Sequence, residues 1–542
     1  MAARYAQSPV SAAIRALVAK AFRNVWRRGA RDELEAIAEE FSDSGYWPDG
    51  WASVKSTLFF DAKDPGDSRT RLLRLERKLA PASKADRALA YVVNMIDDTF
   101  SPDIDSVGDI HEQIIQRSKD ALELGKEFSG IDELLPLVPL LVRQGRRVRE
   151  FANGYAQVND VSAAWDLLAA ASAAETGPKT SAVFCGLLQG LEKRHASLAD
   201  ELVDRAFNDI RLAQFFPDIQ CSINITEVGI ARLKTAISRP EIPVWNFTQL
   251  WSGARSDGIP TNSLHEMLRL LLDRENGHKV AVEILGMVYF SRRQDGVPID
   301  QSLVASGKMV LAATSFDEVD DNEDYKLAEL ARVAFADDQP HEEVTSILDR
   351  ILEEASGHRT YLGRHHDLLS ALLQTQPFAS LDSLVGKQLP GWAIFEDFDD
   401  SYRHNPANIL DARQLSTWCD LDPGMRYPWA ATIVPLDVRM AEDQEKEYQR
   451  TWSSLARVLL DGAPDKIAVL EKFVDRARPS GWSGSLATIL ESRIHLFGEL
   501  AGAYGAAFDL RIVHVQAALA AEATKQRAWE DRDDRERDER FE

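Results

Sequence analysis

From Val10 onward the apolar residues fall at Ile14, Leu17, Val18, Ala21, Phe22, Val25 and Trp26, in steps mostly of three and four that gather on one face of a helix. This period constrains the fold more than any other feature, because it recurs along the whole chain. It returns at Leu72, Leu75 and Leu79, at Val161, Ala164, Trp165 and Leu168, and at Leu202, Val203, Ala206, Phe207 and Ile210. Near the C-terminus it appears at Leu486, Ile489, Leu490, Ile494 and Phe497. Strand signals are sparse. The β-branched stretch Ile223 to Val228 lacks the alternation and the hairpin turn of a sheet, and reads as an extended connector. The expected fold is all-α.

The helical segments come in pairs. Leu455, Val458 and Leu459 end one; Asp461, Gly462, Ala463 and Pro464 interrupt it; Ile467, Leu470, Phe473 and Val474 begin the next. So short a break favours antiparallel neighbours. Similar pairs fall at 161–173 with 179–194 and at 261–273 with 277–291. Hairpins that bury each other's faces make a solenoid. No fixed period is found, and tetratricopeptide, ankyrin and leucine-rich signatures are absent. The expectation is an irregular α-solenoid of stacked antiparallel hairpins, broadly HEAT-like or TPR-like. An irregular multi-domain helical protein is the alternative. Loops rich in Gly, Pro and Asp lie near 43–50, 252–262, 316–324, 387–407 and 420–428. The expected organisation is a helical array over 1–386, an acidic-aromatic connector over 387–407, further helical repeats over 408–525 and a charged tail over 526–542.

With 542 residues, 45% of them hydrophobic, the chain exceeds one compact core. The formal charge of −23 repels phosphate backbones and disfavours nucleic acid as a partner. Cys185, Cys221 and Cys419 are scattered and show no zinc spacing, so buried reduced thiols in a cytoplasmic protein are expected. The apolar run Leu134 to Val142 contains Pro136 and Pro139 and is far shorter than the roughly 20 residues a membrane span needs. No membrane segment, secretory signal or cofactor is expected.

The two ends stand out. Residues 1–31 hold Arg4, Arg15, Lys20, Arg23, Arg27, Arg28 and Arg31 and no acid. A cationic amphipathic helix there suits a membrane surface, a nucleic acid or an organellar transit peptide. The favoured reading is a first helix docked by its apolar face, its cations near the acidic body. At the other end, opposite charges from Glu530 to Arg540 sit three and four apart. With no apolar stripe, a solvated, fraying helix is expected there.

The spacing of the chemically active residues matches no catalytic signature. No phosphate-binding Gly-Lys-Ser/Thr loop occurs. Gly481-Trp482-Ser483-Gly484-Ser485 lacks the final glycine of a nucleophile elbow, and reads as a turn with Ser483 or Ser485 capping the next helix. The acids between Asp317 and Asp324 lack the glycine and terminal glutamate of a calcium loop. The register starting at Asp103, Asp105 and Gly108 ends on Ile114. Both read as solvated loops or helix N-terminal carboxylates. His111, His265 and His341, each followed by Glu, lack the second histidine of a zinc protease helix, and the adjacent His365 and His366 point to different faces.

What remains is a set of partner-binding candidates. Arg143, Arg146, Arg147 and Arg149 form the densest internal basic cluster and suit an anionic ligand, or pairing with nearby carboxylates. Trp392 and Trp418 sit at element boundaries, where an aromatic anchors a partner or plugs a seam between repeats. Four stretches carry a family resemblance: WASVKSTLFFDAK from Trp51, WCDLDPGMRYPWAATIVP from Trp418, PSGWSGSLATIL from Pro479, and the charged end from Asp531 to Phe541. Together they resemble the helical C-terminal region of large bacterial defence-type NTPases of the STAND class. The resemblance implies a helical-repeat sensor that binds a protein and relays binding to an effector. No nucleotide-binding module is seen and no catalytic residue carries over. The expected function is therefore a non-enzymatic sensor or scaffold for a protein partner or effector module, with homo-oligomerisation also compatible. The alternative is a cytoplasmic enzyme whose hydrolytic or metal site assembles from the acidic loops 316–324 and 396–400.

Overall fold

The structure, a computed structural model, describes residues 9–61, 66–93, 110–143, 145–337, 339, 341–356, 362–386, 405–439, 450–479 and 484–541. The fold is all-α. Among the described residues the only sheet is a pair of three-residue strands. The chain forms two compact units, Met1–Ile259 and Pro260–Glu542, so the division falls inside the stretch 1–386 expected as one array. The expected connector 387–407 lies almost wholly outside the described residues.

The first unit opens with α1 (Pro9–Arg27), α2 (Arg31–Asp43), α3 (Pro48–Asp61), α4 (Asp67–Leu79) and α5 (Lys84–Ala88), which runs into a π-helical turn at Leu89–Val93. Phe22 and Trp26 of α1 are buried with Phe41, Trp47, Trp51, Leu58, Leu72 and Leu75 in one apolar cluster. The first turns of α1 are less engaged: Ile14 and Leu17 are exposed. Gly29 ends α1 with φ of +93°, a left-handed conformation that suits glycine. Three cations of α1 reach the body of the unit. Arg23 bonds Asp61 at 2.6 Å and Arg27 reaches the same carboxylate at 3.2 Å, while Arg15 donates to the Phe41 carbonyl at 2.7 Å.

There follow α6 (Ile110–Glu127), α7 (Gly130–Leu134), α8 (Val138–Leu141), α9 (Val148–Val158), α10 (Ser162–Ala174), α11 (Ala182–Asn208), α12 (Phe216–Gln220) and α13 (Glu227–Ile237). Pro136 and Pro139 each sit in the first turn of a short helical segment, so the run 134–142 breaks into turns. His195, at φ −146° and ψ 73°, kinks α11 between its two apolar stretches. Helix α11 ends at Asn208, which leaves Ile210 exposed. Helices α6, α9 and α11 pack in series at backbone distance. A Cβ at Gly154 would lie 1.8 Å from the Leu122 carbonyl oxygen, and one at Gly190 would lie 2.3 Å from that of Asn153. Of the stretch Ile223 to Val228 expected as an extended connector, residues 224–226 lie outside regular structure, while Glu227 and Val228 already belong to α13, because Thr226 caps that helix by accepting from Gly229 N.

The second unit contains α14 (Thr261–Leu272), α15 (Gly277–Gln294), α16 (Gln301–Ala313), α17 (Asp321–Ala334), α18 (Glu342–Ser356), α19 (His366–Thr375), α20 (Pro377–Gly386), α21 (Ala412–Cys419) and α22 (Pro423–Ala430). The last replaces the loop expected at 420–428, because Pro423 occupies the first turn, where its missing N–H is no loss. Strands β1 (Asp437–Arg439) and β2 (Arg450–Trp452) pair antiparallel, with Asp437 opposite Trp452. The unit ends with α23 (Ser454–Gly462), α24 (Lys466–Asp475), α25 (Leu486–Gly498) and α26 (Ala506–Phe541). Consecutive helices touch, as α14 with α15 and α23 with α24. Next-but-one helices touch as well: α14, α16, α18 and α20 form one chain of contacts, which α21 and α23 continue, and α15, α17 and α19 form another. Helix α26 is continuous through the expected boundary at 525/526. Its charged part does not begin as a free end, because Arg527 bonds Glu491 and Glu530 bonds Ser485.

Candidate functional site

The most unusual chemistry in the described residues lies on α3. Trp51 and Lys55 are one turn apart and share a face. Lys55 is only 8% exposed, and its Nζ sits 4.4 Å from the centre of the Trp51 ring. A Lys one turn from a Trp packs this way because the butyl stem covers apolar surface while the cation meets the electron-rich ring face. Trp51 Nε1 donates to Glu76 Oε1 at 2.9 Å, which ties α3 to α4. The ring of Tyr91 meets Trp51 edge-on, with centroids 5.6 Å apart and planes at 88°.

Tyr91 is placed by the π-helical turn, a rare geometry that is frequent at functional sites. Arg147, just before α9, holds that turn. Its backbone N–H donates to Val92 O at 3.3 Å and its Nη1 to Tyr91 O at 3.2 Å. Gly145 permits the approach, since a Cβ there would lie 3.0 Å from Val92 O.

Burial dominates the electrostatics. It lowers the Lys55 amine to about 8; the positive charge of Arg117 acts in the same direction and Glu76 opposes both. Burial also raises the phenols of Tyr46 and Tyr91 above the usual tyrosine range. Among the described residues Lys55 forms no ion pair. A buried ammonium without a direct ion-pair contact is costly, so the neutral amine gains weight.

The second unit holds a different buried pair. Asp324 of α17 is 2% exposed and accepts from the backbone N–H of Asp367 at 2.7 Å, capping the start of α19. His365 is fully buried, its Nδ1 3.9 Å from Asp324 Oδ1 and its ring edge-on to Phe316. Burial raises the carboxyl to about 7 and lowers the imidazole to about 4, so both are mainly neutral between those values. Asp320 of the same acidic run caps α17, accepting from Glu323 N at 2.8 Å. These acids therefore serve helix N-termini. Among the described residues no three His, Cys, Asp or Glu side chains are arranged to hold a metal ion.

Comparison with family models, curated proteins and solved structures finds no match.

Of the residues singled out from sequence, Arg147 and Trp418 are buried, while Arg143, Arg146 and Arg149 are exposed. Arg143 is exposed and paired with Glu175, whose carboxylate it holds below the usual range. Arg146 and Arg149 are exposed, and the charge of Arg149 acts on Asp218 and on the buried Cys185. Arg147 is buried and holds the π turn. Trp418 is fully buried. Its Nε1 donates to Asp382 at 2.8 Å and the Arg426 guanidinium lies 4.5 Å over its ring, so it seals an interior seam and presents no face to a partner. Trp392 lies outside the described residues, as do Gly481, Trp482, Ser483, the stretch 396–400 and the register at Asp103, Asp105 and Gly108. The sequence did carry a signal for Lys55: it is the single charge inside the apolar run from Trp51 to Phe60.

Proposed function

We propose that this chain is a non-enzymatic helical-repeat scaffold or sensor that binds a protein partner. The observation that carries the reading is the next-but-one packing in the second unit, α14 to α16 to α18 to α20 beside α15 to α17 to α19. Two such ladders are how stacked helical hairpins build a solenoid, and a solenoid offers a long surface made of successive helices. The net charge of −23 favours a protein ligand over nucleic acid. Exposed Phe290 on α15 and Tyr325 on α17 supply aromatic anchors on helices that pack together.

The resemblance to the C-terminal region of STAND-class proteins supports an antiphage role, with an effector module as the second partner. The test is to challenge bacteria producing the full chain with a panel of phages, recover the chain with its bound proteins, and titrate each purified candidate. A phage protein that binds at micromolar concentration or tighter, and loses affinity with Phe290→Ala plus Tyr325→Ala, is the expected result. Failure of every phage protein in the panel to bind overturns the antiphage reading.

A further inference from the structure

We propose that Lys55 is a nucleophilic amine that captures a small carbonyl compound, an aldehyde or ketone, as a Schiff base. The inference is independent of the scaffold reading and rests on placement. The amine is nine-tenths buried, seated on the Trp51 ring, and without an ion pair among the described residues. Tyr91 borders the same indole, held there by the π turn that Arg147 fixes. Glu76, anchored by the Trp51 indole, is the carboxylate whose charge acts on the amine, while the charge of Arg117 opposes protonation. A desolvated lysine beside a second cation is the usual arrangement for an amine that reacts with carbonyls.

The step balances without an oxidant. The Nζ lone pair forms a C–N bond to the carbonyl carbon, and the oxygen takes up a proton released by nitrogen to give a carbinolamine. That oxygen then leaves as water with the second nitrogen proton, and C=N forms. Amine and carbonyl give imine and water.

At neutral pH an amine titrating at about 8 has about 300-fold more free base than a lysine at the ordinary 10.5. The test is reductive methylation of the full native chain with formaldehyde and cyanoborohydride, read peptide by peptide by mass spectrometry. Lys55 is expected to react at least tenfold faster at pH 7 than the exposed Lys78 and Lys472, with a rate midpoint near pH 8. In guanidinium chloride the preference is expected to vanish. In the Glu76→Gln chain the midpoint is expected to fall further, because the opposing charge is gone. Labelling of Lys55 no faster than Lys78, or a midpoint above pH 10 in the native chain, overturns the proposal.

Discussion

Glu530 of α26 reaches back to the start of α25: its Oε2 accepts from Ser485 Oγ at 2.6 Å and its Oε1 from Ala487 N at 3.2 Å. Ser485 is itself the N-cap, accepting from Thr488 N at 3.1 Å. A carboxylate from one helix thus satisfies a donor at the N-terminus of another, where the helix dipole also favours negative charge. Burial acts to raise the Glu530 carboxyl, but the hydrogen bonds from Ser485, Ala487 and Gln526 outweigh it and hold the group below its usual range. Glu530→Ala is expected to destabilise the second unit by about 1 kcal/mol near pH 7. A carboxyl lowered by folding contributes stability above its unfolded value and loses it as pH falls through the folded value. The gap between the two chains in denaturant melts should therefore close below about pH 4. A gap unchanged at pH 3 would count against the ionic cap.

Asp324 and His365 make opposite contributions to pH dependence. In the folded chain a proton stays on Asp324 up to about 7, whereas His365 takes one only below about 4. In the unfolded chain the histidine holds the proton between roughly pH 4 and 6.5 and the aspartate does not. The pair therefore binds about one proton in either state across that window, and its slopes cancel. Removing one partner exposes the other. His365→Leu should leave a stability that falls as pH rises from 4 to 7, because the remaining group binds more protons when folded. Asp324→Asn should leave one that rises between pH 4 and 6.5. The limiting slope is about 1.4 kcal/mol per pH unit in each case. Parallel pH profiles for the two variants would refute the assignment.

Helices α6 and α9 approach so closely that position 154 admits no side chain: a Cβ there meets the Leu122 carbonyl at 1.8 Å. Gly154→Ala gains about 1 kcal/mol of helix propensity, yet the backbone contact must open. A net loss of about 2 kcal/mol is expected, as for overpacked cores. Gly424, with nothing within 4 Å of its Cβ position, is the control. Gly424→Ala should leave the melting temperature equal or slightly higher.

Trp418→Ala should cost about 3–5 kcal/mol, because a fully buried indole and its bond to Asp382 are lost. Arg146→Ala, at an exposed head with a surface interaction, should cost no more than about 1 kcal/mol. Comparing the two melts separates an interior seam from a surface contact. Equal losses would show that Trp418 does not seal an interior seam.

The period of the apolar residues determined the helical class, and local chemistry determined many helix starts. Ser453, Asp465 and Ser485 each accept from a backbone N–H two or three residues on, a bond that needs no other part of the chain. The interior of α1, from Phe22 to Trp26, was equally legible, because a stripe of that width demands burial. Tertiary structure decided what spacing cannot encode. The burial of Lys55 depends on α4 and the π turn, which bring Glu76 and Tyr91 against Trp51. Arg147 belongs to a basic cluster until its neighbour across the fold is seen to be Tyr91. The acids at 320 and 324 resemble one loop, but one caps its own helix and the other is buried against a helix that starts more than forty residues later. The charged end looks unable to pack because only apolar stripes signal packing in sequence. Its anchor is a polar bond between Glu530 and a serine 45 residues away, and only the fold brings such partners together.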